Sequence, residues 1–489
     1  MAVNFKTDDS FLRKLAIGAA GTNETINRLV ELGFDPIELE RGSTGFKIWK
    51  KIKIKRVRVP DILCLSTGLR FESRGKTKPE ISMSHSLRDP RRAWDAGLRN
   101  DDYVSIVLFE QGQDPVDLKR VSPVHFIKVA DLKHAFDENR VKITKPKGVE
   151  EGSEIRVQWT CAVAHQPGIV NEVTDTRLRL KTSEGRIQNI HLLRKKGHIS
   201  ISPQLSVNQS VDANQIVASV VPVHTSLQPQ AHLDEPAFIS KLGGTNLSER
   251  YGAAKALRYR GYEQAQVPLQ ERLNDSQEDI YVKLEAAAAL AAFDHASGWN
   301  FLEANIRGSL LQIPLETQLE TIIVISEICK DRSQNLLIEV LQGTSKDEEL
   351  RAGAAWALGQ FATAVAATAL VDTFNGTALE IKTEAARALL RIAEPQLPHL
   401  ISLLKTSEPA HRDGISWALA KTGNFDPSIL LHNSDDNLRR WASYIIGYAK
   451  EKLAEEDLNK ICQSDPEVYF AASVLWQILE SWIAGLREY

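Results

Sequence analysis

Apolar and polar residues alternate with different periods in different parts of the chain, and the changes of period divide it. In residues 1–147 helical and strand patterns are mixed. FLRKLAIGAA (from Phe11) and ETINRLVELG (from Glu24) carry apolar residues at helical spacing. Gly21, Thr22 and Asn23 between them predict a break into two helices, with Thr22 or Asn23 as cap and Gly33 as stop. PIELERG then alternates as a strand. In KIWKKIKIKRVRVPDILCLSTGLRFESRGK, Lys47 to Lys76, Ile48, Ile52 and Ile54 share one parity, and Lys51, Lys53 and Lys55 the other. The parity slips so that Val57 and Val59 are apolar beside Arg56 and Arg58, which predicts a bulge near Lys55 and Arg56. Ile62 to Leu65 are apolar on both faces, the mark of a buried strand end. After Ser66, Thr67 and Gly68, Leu69 and Phe71 point one way; Arg70, Glu72, Arg74 and Lys76 point the other. EISMSHS and DDYVSIVLF continue as strands, and VHFIKVADLKHAF runs from strand into helix. The expectation is an α/β core.

Residues 148–225 break into short strands (IRVQWTCAVA, GIVNEV, RLRLKT, RIQNIHLL, HISIS, QIVASVVPV) joined by Gly, Asp, Ser and Asn turns, a small all-β, barrel-like domain. LSVNQSVDANQIVAS within it resembles the turn of barrel-sandwich hybrid domains. Residues 226–244 read as a linker. From 245 to 489 the pattern is helical and repeats: RYGAAKALRYRG (Arg250), KLEAAAALAAF (Lys283), RAGAAWALGQF (Arg351), KTEAARALLRIA (Lys382), RDGISWALAKTG (Arg412) and RRWASYIIGYA (Arg439) echo one another. Weaker copies start at Leu319 and Glu467, and VPLQERL, LLIEVL, TALVDTF and LPHLISLL supply the partner helices. The spacing, about 30 residues, suits stacked helix pairs. These copies resemble HEAT repeats of the short, alanine-rich type, which implies an all-α solenoid with a surface for a protein partner.

A chain of 489 residues is too long for one hydrophobic core, so several domains are expected. No apolar run approaches the roughly 20 residues of a membrane helix, and MAVNFKTDDSFLRK lacks a signal-peptide core, which makes the cytoplasm the expected compartment. Net charge is −3, yet the segment up to Glu235 has about 36 Lys and Arg against 29 Asp and Glu, while the remainder is acidic. A basic first half favours a polyanion there. Cys64, Cys161, Cys329 and Cys462 are far apart and form no zinc spacing; buried, reduced thiols are expected. The histidines are isolated; GxxxxGK[ST] does not occur, which disfavours a nucleotide-driven motor, and no GxSxG occurs either.

Candidate chemistry gathers between Asp61 and Lys76. An acid closing one strand, followed on the next by Glu72, Arg74 and Lys76 at every second position, can hold a divalent cation beside a phosphate. Pro60-Asp61 with Glu72-Ser73-Arg74 resembles the PD-(D/E)xK, restriction-endonuclease-like nuclease superfamily. The resemblance implies Asp61 and Glu72 as Mg2+ (or Mn2+) ligands and hydrolysis of a phosphodiester. The family's lysine position is Arg74, a departure: a guanidinium cannot act as a base. Lys76, one pleat on, would then place the water and Arg74 would hold phosphate. Glu24 and Glu40 are candidate extra acids. Lys50, Lys51, Lys53, Lys55, Arg56, Arg58, Arg91 and Arg92 are candidate contacts to a nucleic-acid backbone, DNA rather than RNA. For the lysine run the alternative is an edge strand protected against aggregation; for Arg91 and Arg92 it is a solvated surface. Three functions remain open. One is a metal-dependent nuclease with a HEAT arm for substrate or partner, in bacterial defence or DNA processing. Another is a catalytically inactive nucleic-acid-binding scaffold whose solenoid recruits proteins. A purely protein-binding adaptor is the third.

Overall fold

In a computed structural model the described residues are 8–40, 57–112, 118–145, 154–192, 199–229, 232–307, 313–344, 346–376, 378–406 and 408–421, with scattered positions between 425 and 445. The basic positions Lys50, Lys51, Lys53, Lys55 and Arg56, the expected bulge and the copies from Arg439 and Glu467 therefore lie outside them, as does Cys462. The chain divides into two compact units, residues 1–48 with 55–268, and residues 49–54 with 269–489.

In the first unit, α1 (Asp8–Glu31) precedes β1 (Pro36–Glu38), β2 (Ile62–Cys64), β3 (Arg70–Lys76), β4 (Ile81–Ser86), β5 (Tyr103–Gln111), β6 (Leu118–Arg120), β7 (His125–Lys128) and α2 (Val129–Asp137). The main sheet has the order β1-β2-β3-β5-β6, with β7 also paired to β5. It is mixed: β3 and β5 run parallel, and its other pairs are antiparallel.

The strand parity read from LRFESRGK sets its two faces. Phe71, Val107 and Phe109 pack with Leu29 and Phe34 under α1. Val104, Ile106 and Leu108 belong to the opposite core, and they register with Glu72, Arg74 and Lys76.

The predicted break at Gly21 is not there; α1 runs through it. A Cβ on Gly21 would come 2.7 Å from the backbone N of Gly75, so this glycine serves helix-to-strand contact rather than termination. Around that contact, Thr25 Oγ1 donates to the Gly21 carbonyl (2.8 Å) and lies 2.8 Å from Ser105 Oγ. The helix ends near Gly33, whose φ of +84° suits a C-terminal stop.

The following strands are β8 (Lys142–Thr144), β9 (Glu154–Trp159), β10 (Cys161–Val163), β11 (Gly168–Val173), β12 (Arg177–Thr182), β13 (Ile187–His191), β14 (Ser202–Pro203), β15 (Ser210–Val211) and β16 (Ile216–Ser219). They form three small sheets, β4-β9-β8, β13-β12-β11-β15 and β10-β16-β14. The segment read as one strand, IRVQWTCAVA, is split at Thr160 between two of these sheets. Because β9 pairs with β4, the α/β and all-β stretches share one core, with Trp94, Ile106, Leu132, Trp159, Leu178 and Val217 in it. That continuity follows from closely spaced strands, each too short to bury its own apolar face.

His125, on β7, ties the two stretches together. It is fully buried, and its Nε2 accepts the Ile216 N–H at 2.9 Å. Burial holds its pKa down to about 4, against a small opposing effect of the Ile106 backbone. An unfolded chain protonates this ring near pH 6.5. Between about pH 6.5 and 4 the unfolded state therefore binds the extra proton, and stability falls as pH falls, by about 3 kcal/mol at pH 4. In His125→Gln, the change in hydrogen-exchange protection of β7 and β16 between pH 7 and pH 4.5 is expected to shrink relative to wild type. An unchanged pH slope would contradict the assignment.

The helices continue with α3 (Glu235–Leu242), α4 (Leu247–Tyr259), α5 (Gln266–Asn274), α6 (Ile280–Ala292), α7 (Ala296–Arg307), α8 (Leu315–Ile328), α9 (Asp331–Gln342), α10 (Glu348–Leu358), α11 (Ala364–Asp372), α12 (Leu379–Ile392), α13 (Leu397–Thr406) and α14 (Pro409–Lys421). The stretch read as a linker thus already carries α3, capped by the Asp234 carboxylate on the Ala237 N–H.

In the second unit the alanine-rich helices α6, α8, α10, α12 and α14 pack in series, because small side chains allow close approach. Arginines stack on tryptophans of neighbouring repeats, Arg332 over Trp299 at 4.9 Å and Arg391 over Trp356 at 5.7 Å. Cys329 departs from the expected buried thiols: it closes α8 with a φ of +55° and is exposed.

Candidate functional site

Antiparallel pairing of β2 with β3 places Asp61, just before β2, beside the start of β3. Asp61 is 8% exposed, and its Oδ2 accepts the Ser73 N–H at 2.7 Å. Glu72 is largely buried and pairs with Arg74, Nη2 to Oε1 at 2.5 Å. Glu40 joins them: its N–H donates to the Asp61 carbonyl at 3.2 Å, and its charge reaches both acids. Burial pushes Asp61 well above the usual carboxylate range, helped by the Glu72 and Glu40 charges and opposed by Arg74. Burial likewise raises Glu72, with Arg74 and Arg58 opposing. The neighbouring acids, Glu72 foremost, raise Arg74 in turn.

Lys76 lies on the same face, but its Nζ donates to Ser82 of β4, to the carbonyl at 2.6 Å and to Oγ at 3.1 Å. Its electrostatic neighbours are Arg74, Glu80 and Arg156. Burial, with Arg74 and Arg156, lowers it to about 8. Arg58 donates from Nε to the Arg91 carbonyl at 3.1 Å. The Arg91 guanidinium pairs with Asp89, and that of Arg92 with Glu154. The structure does not bring Glu24 to this group: it sits on α1, across the sheet, paired with Arg120 at 2.6 Å.

Pattern reading missed the support beneath the site. Arg70 shares the parity of Glu72 but is buried, with Asp102 Oδ1 and Oδ2 at 3.0 and 2.6 Å from its Nε and Nη2. Asp102 also accepts from the backbone and side chain of Arg99. Arg70 and Arg99 then reach Ser248 and Glu249 at the start of α4. The charged parity of Arg70 was visible; a partner 32 residues away was not.

For a divalent ion the donor set is poor. Among the described residues no three His, Cys, Asp or Glu side chains gather to hold a cation. Glu72 is taken by Arg74, and one Asp61 oxygen by a backbone N–H. Hard cations want about six oxygens. With Arg74 in place the residues do not fit Mg2+ or Mn2+. What the face can do is present cations: Arg74 keeps 39% of its side chain exposed, beside Lys76 and Arg156.

Comparison with known proteins bears on the second unit. The HEAT-repeat family matches residues 314–390, so the C-terminal region contains HEAT repeats; such arrays commonly mediate protein interactions. No curated protein matches the chain. Among solved structures, an engineered protein is 21% identical, covers 49% of this chain and 76% of its own, with a TM-score of 0.24. The CpcE–CpcF complex of phycocyanin lyase from Nostoc sp. PCC7120 is 16% identical, with 52% and 97% covered and a TM-score of 0.25. Human deoxyhypusine hydroxylase is 16% identical, with 45% and 85% covered and a TM-score of 0.19. No described helix is long and apolar enough to cross a membrane.

Proposed function

We propose that the chain is a nucleic-acid-binding scaffold. Its N-terminal unit holds a phosphate backbone and its HEAT repeats recruit a protein partner. The observation that supports this reading is the Glu72–Arg74 ion pair beside Asp61, with the Arg74 side chain partly exposed. A planar guanidinium with open N–H groups suits phosphate oxygens. Arg58, Arg156 and Lys76 add positive charge around it. The HEAT copies bring no chemistry of their own and favour recruitment.

A second reading is phosphodiester hydrolysis with Mg2+ or Mn2+ at Asp61 and Glu72. The β2–β3 pairing that sets these acids together favours it, but it requires Arg74 to leave Glu72.

Binding of labelled DNA and RNA duplexes and single strands to the full chain separates the readings. The scaffold is expected to bind DNA with affinity that drops steeply as salt rises, and to leave it intact in Mg2+ or Mn2+. Arg74→Ala should weaken binding about tenfold, as loss of one charge-assisted phosphate contact implies. Cleavage by wild type that disappears in Asp61→Ala would overturn the scaffold in favour of hydrolysis. Absence of any binding would leave a protein-only adaptor.

A further inference from the structure

We infer that Arg74 is a built-in counter-cation, taking the place of a divalent metal between Glu72 and Asp61, so that this face works without a metal ion. The inference rests on the reading of the face as a phosphate-binding surface, and it can fail independently of that reading.

Asp61, just before β2, and Glu72, on the adjacent β3, are largely removed from water, with the negative charge of Glu40 close to both. Buried carboxylates in such a group need a cation or must give up their charge. Two residues beyond Glu72, on the same face of β3, Arg74 supplies that cation at 2.5 Å. Pleating alone sets this: residues two apart on a strand share a face.

An entering divalent ion would meet a guanidinium already on Glu72 and an Asp61 oxygen already on the Ser73 N–H. It would also lack a third acid, His or Cys positioned as a donor among the described residues. Lys76 does not take over the role of counter-cation, because the Ser82 carbonyl and hydroxyl hold its ammonium.

Fixing the cation covalently has a functional consequence. A guanidinium does not dissociate under chelation and does not deprotonate, so phosphate binding becomes independent of metal supply. The Arg74 side chain keeps part of its surface exposed. A metal nuclease needs the opposite arrangement, an acid pair left open for the ion.

The test uses the full chain and Mn2+, with electron paramagnetic resonance to count bound ions and thermal unfolding in EDTA or Mn2+. Wild type is expected to take up no stoichiometric Mn2+ and to unfold at the same temperature in both. Arg74→Ala is expected to unfold earlier, to bind one Mn2+ per chain at least about tenfold more tightly than wild type, and to regain stability with the metal. Adding Glu72→Gln should remove that ion. Arg74→Gln, which removes the charge but keeps most of the side chain's length, covers the case in which the alanine variant does not fold; it too should gain Mn2+. One Mn2+ on wild type that vanishes in Glu72→Gln overturns the inference, as does failure of both Arg74 variants to gain the ion. DNA binding in EDTA, measured on the same samples, tests the scaffold reading separately: its absence with a metal-silent wild type would sink the scaffold and leave the counter-cation standing.

Discussion

Asp102→Ala is expected to lower the stability of the N-terminal unit by about 3–5 kcal/mol, the cost of leaving buried charge without its partner. Asp102 is inaccessible to solvent, and both its oxygens accept from Arg70 and from Arg99. Removing it leaves a nearly buried guanidinium, Arg70, with Ser248 Oγ and the Gly97 carbonyl as its hydrogen-bond partners among the described residues. The damage should reach the candidate face, because Glu72 lies one pleat from Arg70 on β3. Hydrogen exchange read on peptides of β3, β5 and α4 isolates this unit from the solenoid, which a single melting curve of a multidomain chain does not. Protection lost in all three elements together is the expected result. Exchange in α4 unchanged from wild type would show that the network does not fasten that helix.

Gly75→Ala is expected to cost more than about 3 kcal/mol, beyond the usual range for overpacking. A Cβ there would lie 2.1 Å from the carbonyl oxygen of Ile17 and 2.7 Å from its side chain. The first obstacle is backbone in the middle of α1, so no rotamer change relieves it. Helix and sheet would have to separate, breaking the Thr25–Ser105 hydroxyl contact and opening the core around Leu29, Phe71 and Phe126. Faster exchange across α1 and β3, with the solenoid unaffected, is the outcome that checks this. A protein within about 0.5 kcal/mol of wild type, the ordinary range of a surface substitution, would contradict the close approach.

Much of this architecture could be read from residue patterns, and the reasons differ by element. Strand parity in LRFESRGK assigned Phe71 to one face and Glu72, Arg74 and Lys76 to the other, because alternation is local and rigid. The alanine-rich copies from Arg250 to Arg412 announced stacked helix pairs, since a repeated unit advertises itself many times. Gly21 misled, because a glycine chosen for helix-to-strand contact looks the same in sequence as one that ends a helix. The shared core of the α/β and all-β stretches was hidden because it depends on β9 reaching back to β4. Asp102 and Arg70 were hidden for the same reason, a long-range pair without a local signal. At the candidate site, strand alternation put Glu72, Arg74 and Lys76 on one face of β3. It could not say that Lys76 would turn to Ser82, a choice made by the neighbouring strand.

On the proposed reading, Arg74 lets this face hold a phosphate backbone without a metal. Fluorescence anisotropy of a labelled DNA duplex with the full chain in EDTA, comparing wild type with Arg74→Ala, tests it most directly. The account predicts that wild type binds equally well in EDTA and in Mg2+, and that the substitution weakens binding in both. Binding by wild type that appears only with Mg2+ would contradict it.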